Sequence, residues 1–191
     1  MWKGRFTEET SDEVKAFTES VSFDWRLYKY DIMGSIAHAT MLAEVGIITT
    51  AERDKIVKGL NEIKHEIEEG RFKFDVNLED VHMNIEAALT QKIGPVGGKL
   101  HSARSRNDQI ALDMRMYLRD EVQHLRKSVR GLQKSLIQLG VKHPRLIMPG
   151  YTHLQRAQPT LFAHHLLAYV EMFDRDFARL SDLFKRVNVM P

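Results

Sequence analysis

Eight consecutive residues, His101-Ser102-Ala103-Arg104-Ser105-Arg106-Asn107-Asp108, combine two guanidinium groups, two hydroxyls and an amide directly ahead of a long apolar-patterned stretch. The first turn of a helix leaves N–H groups unpaired and carries the positive end of the macrodipole, so anions are its natural guests. Arginine forks match carboxylates in bidentate geometry. A purely structural reading also stands, in which Asn107 or Asp108 caps the helix and the arginines are solvated or paired with acidic neighbours. A second polar segment, Gly150-Tyr151-Thr152-His153-Leu154-Gln155-Arg156-Ala157-Gln158-Pro159, offers a hydroxyl donor at Thr152, an imidazole at His153 that can move protons near neutral pH, and orienting amides at Gln155 and Gln158. With nine histidines in the chain, an ordinary exposed or hydrogen-bonded His153 is the competing reading. The third segment, Glu79-Asp80-Val81-His82-Met83-Asn84-Ile85-Glu86, mixes acids, imidazole and amide, although Glu79 and Asp80 also simply suit a helix N-terminus. All three segments are expected at helix entries, which suggests bundle ends converging on an anionic ligand. His164-His165 does not form a metal pair, because adjacent residues do not share a helix face, and no metal site is expected.

The elements that must carry these segments are helical. Ile110, Met114, Leu118, Val122, Leu125, Val129, Leu132, Leu136 and Leu139 recur at steps of three or four, which predicts a helix from about Asn107 to Leu139 with one apolar stripe. Phe162, Leu166, Val170, Phe173, Phe177, Leu180, Phe184 and Val187 repeat the pattern, with Pro159 near the expected start of the helix. Gly140 to Gln158, punctuated by His143-Pro144 and Met148-Pro149-Gly150, reads as a loop that lets the two helices run antiparallel. Shorter helices are expected over Asp24 to Val45, from the capping box Thr49-Thr50-Ala51-Glu52 to Gly70, and from near Leu78 to Lys92. Phe72 to Val76 alternates like a short strand without an obvious partner. The expected architecture is all-α, a small helical domain over 1–106 followed by the beginning of a long-helix bundle over 107–191.

With 191 residues, 43% hydrophobic and 28% charged, the chain has a globular composition. Its net charge of +2 argues against a nucleic-acid role, and the Arg104 and Arg106 pair lacks interleaved aromatic residues. The absence of Cys excludes disulfides, thiolate catalysis and cysteine-ligated metals and fits a reducing compartment. Charges at Lys3, Arg5, Glu8, Glu9 and Asp12 interrupt any export signal, and no apolar stretch approaches the roughly 18–20 residues of a membrane span. A soluble, cytoplasmic protein is expected.

The chain resembles argininosuccinate lyase throughout its length, through HSARSRNDQ at His101 to Gln109, GYTHLQRAQP at Gly150 to Pro159, EDVH at Glu79 to His82, and Gly4-Arg5-Phe6. The THLQ-type loop is common to the wider fumarase/aspartase superfamily, including adenylosuccinate lyase; SRND is more specific. The resemblance implies reversible elimination of fumarate from argininosuccinate to release arginine, the last step of arginine biosynthesis, with no metal or organic cofactor. It places Ser20, Asp24, Asp80, Arg106 and Asn107 near the substrate, gives Thr152 a hydrogen bond to a substrate carboxylate, and makes His153 an acid/base or charge-stabilising group. It also implies a homotetramer whose active sites collect segments from three subunits, and a chain more than twice as long. The family's later GSSxMPQKxNP loop, with a serine base and an intermediate-binding lysine, is absent from this sequence. An amino-terminal portion, inactive alone, is therefore expected. A related lyase such as one acting on adenylosuccinate, or a noncatalytic helical oligomerisation module, remains the alternative.

Overall fold

The structure, a computed structural model, describes residues 10–191; Gly4-Arg5-Phe6 lies outside them. The chain divides into two compact units, Met1–Met114 and Arg115–Met190. Both are built on helices, so the expected all-α class holds, with one small two-stranded sheet added.

In the first unit, α1 (Asp12–Thr18) starts at Ser11, whose hydroxyl accepts from the Val14 N–H, and α2 (Val21–Asp24) follows it. A 3-10 turn over Trp25–Leu27 separates α2 from α3 (Tyr28–Glu44), where the sequence pattern predicts one continuous helix. Next, α4 (Thr50–Glu68) begins with the expected capping box, the Thr49 hydroxyl accepting from the Glu52 N–H and the Glu52 carboxylate accepting from the Thr49 N–H. After α5 (Val81–Ile93) and a 3-10 segment, Gly94–His101, comes α6 (Arg106–Lys142). Helix faces spaced by three and four meet in the core: Ile32, Ala39 and Leu42 from α3, Ile56, Leu60 and Ile63 from α4, and Val81, Ile85 and Leu89 from α5 are all at most 1% exposed. Gly59 permits the close approach of α4 and α5, since a Cβ there would sit 2.7 Å from Leu89 Cδ1. Phe72 to Val76 forms no strand. The backbone of Asp75 instead finds its partners in the Asn84 side chain, donating to Oδ1 at 2.7 Å and accepting from Nδ2 at 3.1 Å.

The second unit holds most of α6, strands β1 (Ile147–Thr152) and β2 (Gln155–Leu161), and α7 (Phe162–Val187). The two helices run antiparallel, as expected: Arg115 Nη1 donates to the Val189 carbonyl at 2.6 Å, Gln133 Nε2 to the Val170 carbonyl at 2.9 Å, and Gly140 faces Ala163. Arg130 donates to Asp174 at 2.8 Å and stacks 3.7 Å from the Phe177 ring. The connection read as a loop is a β-hairpin, with Thr152 opposite Gln155 and Ile147 opposite Leu161. Its register shifts between Pro149 and Tyr151, and Gly150 lies so close to β2 that a Cβ would meet the Gln158 carbonyl oxygen at 2.8 Å. Pro159 sits in β2 opposite Pro149, rather than opening the helix; having no N–H, proline suits such an irregular edge. Among the described residues, no helix is long and apolar enough to cross a membrane.

Candidate active site

The entry to α5 gathers four of the residues singled out by the sequence. Glu79 has φ +63° and ψ −65°, and the Asp80 N–H donates to the Leu78 carbonyl at 2.7 Å, a strained γ-turn. This reversal directs the Glu79 carbonyl to the N–H groups of Ser20 and Val21, at 2.8 and 3.1 Å. Ser20 in turn donates from its hydroxyl to Asp24 Oδ2 at 2.6 Å, while Asp24 Oδ1 accepts from the Val81 N–H at 3.1 Å. Burial pushes the Asp24 carboxyl above its usual range, against the Ser20 bond, the His82 charge and the Val81 N–H; the nearby Asp80 charge adds to the rise. Asp80 caps α5, accepting from the Met83 N–H at 2.6 Å, and its second oxygen lies 3.6 Å from Arg106 Nε.

Arg106 opens α6. Its Nη2 is 3.4 Å from Glu86 Oε2, and its Nη1 donates to Gln109 Oε1 at 2.6 Å. Ser105, immediately before the helix, accepts from the Asn107 N–H at 3.2 Å. The capping role offered to Asn107 or Asp108 therefore belongs to Ser105, whose shorter side chain folds back on the first turn, and Asn107 stays exposed beside Arg106. Asp80, Met83, Glu86, His101 and Arg106 line a cavity of about 490 Å³. Its walls offer a carboxylate-binding fork next to two acids, a pattern that suits a ligand bearing both a carboxylate and a cationic group.

A buried polar network joins His82, Arg104 and Gln109, which lie in motifs singled out in the sequence, to Asp31 and Asp113, which do not. His82 Nδ1–H donates to Asp31 Oδ1 at 3.0 Å, with Asp113 Oδ2 3.4 Å away, and Gln109 Nε2 also donates to Asp31 Oδ1. Arg104 adds its positive charge and donates to Ser35 at 2.8 Å. Burial raises both carboxyls, but the two part company: the hydrogen bond and charge of His82, the Gln109 bond and Arg104 hold Asp31 below the usual carboxylate range. Asp113 is pushed up to about 8 by burial, by the Asp31 charge and by a hydrogen bond to Asp31 that favours its protonated form, against His82 and Arg104. For His82, the Asp31 bond and charge and the Asp113 and Asp80 charges outweigh burial and raise the imidazolium. The network thus keeps Asp31 ionised and Asp113 protonated at neutral pH and favours the imidazolium form of His82. A sequence signal existed for Asp31, which lies between the buried Tyr30 and Ile32, but not for Gln109 and Asp113, which are buried while their apolar neighbours Ile110 and Met114 are 39% and 40% exposed. Asp31, His82 and Asp113 bring three ligand-type atoms within 4.8 Å of one another. The Gln109 N–H donor and the Arg104 charge already occupy that surrounding, so the donor set fits a cation poorly.

Thr152 and His153 lie in the second unit, at the tip of the β1–β2 hairpin. This corrects their expected placement at the entry of a helix, since α7 begins only at Phe162. His153 takes φ +56°, a left-handed conformation in which histidine is enriched among non-glycine residues, and Leu154 beside it is 95% exposed. Thr152, His153 and Gln155 are exposed around an open concavity of about 520 Å³. The structure brings Ser20, Asp24, Asp80 and Arg106 together within the first unit, with Asn107 beside Arg106; it holds Thr152 and His153 together within the second.

Comparison with known proteins agrees with the resemblance read from the motifs. The family described as lyase matches residues 4–191. The chain is 58% identical over 190 residues to an argininosuccinate lyase of Syntrophotalea carbinolica, covering 100% of this chain and 41% of that protein. It is 60% identical over 191 residues to that of Acinetobacter baylyi, again covering 100% of this chain and 40% of the relative. A solved EDDS lyase in complex with formate superimposes with a TM-score of 0.73 at 32% identity, covering 86% of this chain and 32% of that one. The chain spans about two fifths of the length of the curated relatives it matches.

Proposed function

We propose, from the premise that this chain belongs to the lyase family, that it supplies the amino-terminal share of an argininosuccinate lyase, an enzyme that reversibly splits argininosuccinate into fumarate and arginine. The observation that carries this reading is the Arg106 guanidinium beside Asp80 and Glu86 on one open cavity. The substrate has a matching mixture of charges, a succinate with two carboxylates joined directly to a guanidinium. The 58–60% identity to argininosuccinate lyases across the whole chain favours that substrate over adenylosuccinate.

In the proposed reaction a base removes the proton beside a substrate carboxylate, the electron pair forms the new C=C bond, the C–N bond breaks, and the departing guanidino nitrogen takes up a proton. Arg106 and Asn107 hold a carboxylate, where negative charge builds in the transition state. Asp80 faces the cationic end, with Ser20 and Asp24 fixing the turn that presents it. Thr152 hydrogen-bonds a carboxylate, and His153 transfers a proton or stabilises charge. The base belongs to the family's GSSxMPQKxNP segment, which this sequence lacks, and the steps use no cofactor. The site is completed in a cytoplasmic homotetramer, where Thr152 and His153 of one protomer serve a site built on Arg106 of another.

Fumarate absorbance tests the reading. The 191-residue chain alone is expected to release none, and mixing or co-expressing it with the missing portion of an argininosuccinate lyase is expected to restore elimination from argininosuccinate. Release from adenylosuccinate instead moves the chain to another lyase. A stable assembly that never releases fumarate makes it a noncatalytic helical module.

A further inference from the structure

We propose that Gln109 is a positioning residue that fixes the Arg106 guanidinium toward the cavity, and that Asp31 sets which end of the Gln109 amide Arg106 meets. The inference rests on the lyase reading for its catalytic consequence, but the positioning itself is a property of the first unit alone. Gln109 is 5% exposed and lies three residues after Arg106 on the same face of α6. Its two amide ends are both used: Oε1 accepts from Arg106 Nη1 at 2.6 Å, and Nε2 donates to Asp31 Oδ1. A guanidinium can only donate and an ionised carboxylate can only accept, so one orientation of an amide between them satisfies both neighbours and the flipped one satisfies neither. His82 Nδ1–H, donating to the same Asp31 oxygen at 3.0 Å, keeps that acceptor charged and in place.

The other groups near Arg106 pull it sideways. Asp80 and Glu86 lie at 3.6 and 3.4 Å, longer than the Gln109 bond, and both are part of the cavity wall. Without Gln109, the guanidinium would close onto those acids, neutralising the charge a substrate carboxylate needs. A displacement of about 1 Å from productive geometry costs on the order of 100-fold in rate.

A polarity swap tests this. Q109M keeps the side-chain length and removes both bonds. Q109E breaks the donor–acceptor order by setting two carboxylates against each other, whereas D31N/Q109E restores it in reverse: the new amide at position 31 donates to the new carboxylate at position 109, which still accepts from Arg106. The His82 imidazole accommodates the swap by accepting at Nδ1 in its other tautomer. Two readouts are needed. In the 191-residue chain, the side-chain ¹⁵N–¹H resonances of Arg106 are expected to show hindered guanidinium rotation, lost in Q109M and recovered in D31N/Q109E. In the chain complemented with the missing lyase portion, kcat/KM for argininosuccinate is expected to fall about 100-fold in Q109M, mainly through kcat, because Arg106 faces charge that builds in the transition state. Arg106 resonances unchanged in Q109M, or in D31N/Q109E no better than in Q109E, would overturn the proposal. A complemented parent chain that releases no fumarate defeats the lyase reading, and the resonances still decide whether Gln109 holds Arg106.

Discussion

The two units are made of the same material, amphipathic helices, and differ in how completely each covers its own apolar faces. In the first, α3, α4 and α5 pack as three faces around one core, so Leu42, Leu60 and Leu89 are fully buried. In the second, two antiparallel helices can cover each other along one line only. Val122 and Leu166 are its buried apolar residues among those described, while Leu125, Leu132, Leu139, Leu167 and Leu183 remain 41–52% exposed. A packed unit can hold a preorganised polar network such as Asp31, His82, Gln109 and Arg106. A two-helix unit with an exposed hairpin presents Thr152 and His153 but leaves their surroundings to whatever else assembles there. Under the lyase reading, further copies of the bundle supply that cover.

Core truncation probes the contrast most strongly. Leu60→Ala is expected to cost ~2–5 kcal/mol, the sum of lost burial and a cavity that surrounding helices cannot close, whereas Leu125→Ala is expected to change stability by less than ~0.5 kcal/mol. Chemical denaturation followed by circular dichroism compares the two directly. A large loss at Leu125 would mean that its face is buried by self-association, which a concentration series would reveal.

A smaller effect comes from pH. Asp113 is raised to about 8 in the fold, so between the ordinary aspartate value near 4 and about 8 the folded chain binds a proton that the unfolded chain does not. Stability from this group is complete below the unfolded value and lost as pH rises through the folded one. His82, also raised, contributes in the same direction, losing its share as pH rises through its folded value. Asp31, held low, acts oppositely, and its share is lost only as pH falls through its depressed value. Thermal melts from pH 5 to 9 are expected to fall with rising pH, and Asp113→Asn to flatten that slope; an unchanged slope would remove Asp113 from the account. A more local effect is expected at a helix end. Thr49→Ala should cost ~1 kcal/mol by opening the capping box of α4, read by the shift in denaturation midpoint, whereas α7 has no side-chain cap to lose.

Periodicity exposed the long helices because each keeps one face apolar over many turns. Arg106–Lys142 contains the whole of the expected Asn107 to Leu139. Capping chemistry is equally local, and Thr49 and Glu52 behave as their spacing requires. The hairpin escaped notice because Met148-Pro149-Gly150 and Gln158-Pro159 read as loop punctuation, yet Pro149 opposite Pro159 needs no N–H from either residue. The Asp31, His82 and Asp113 cluster escaped for a different reason: the three residues come from three helices, and each one alone looks like a polar interruption of an apolar face.

The amino-acid sequence by itself set the helical class, the capped ends and the motif residues that resemble a lyase, because patterning, caps and motifs depend on neighbours within a few turns. Tertiary structure alone decided that Asp80 meets Arg106, that Gln109 is wedged between Arg106 and Asp31, and that Asp113 is raised while Asp31 is lowered. Those outcomes depend on burial and on charges brought together from distant parts of the chain, where desolvation and pairing, not residue type, determine which groups are ionised.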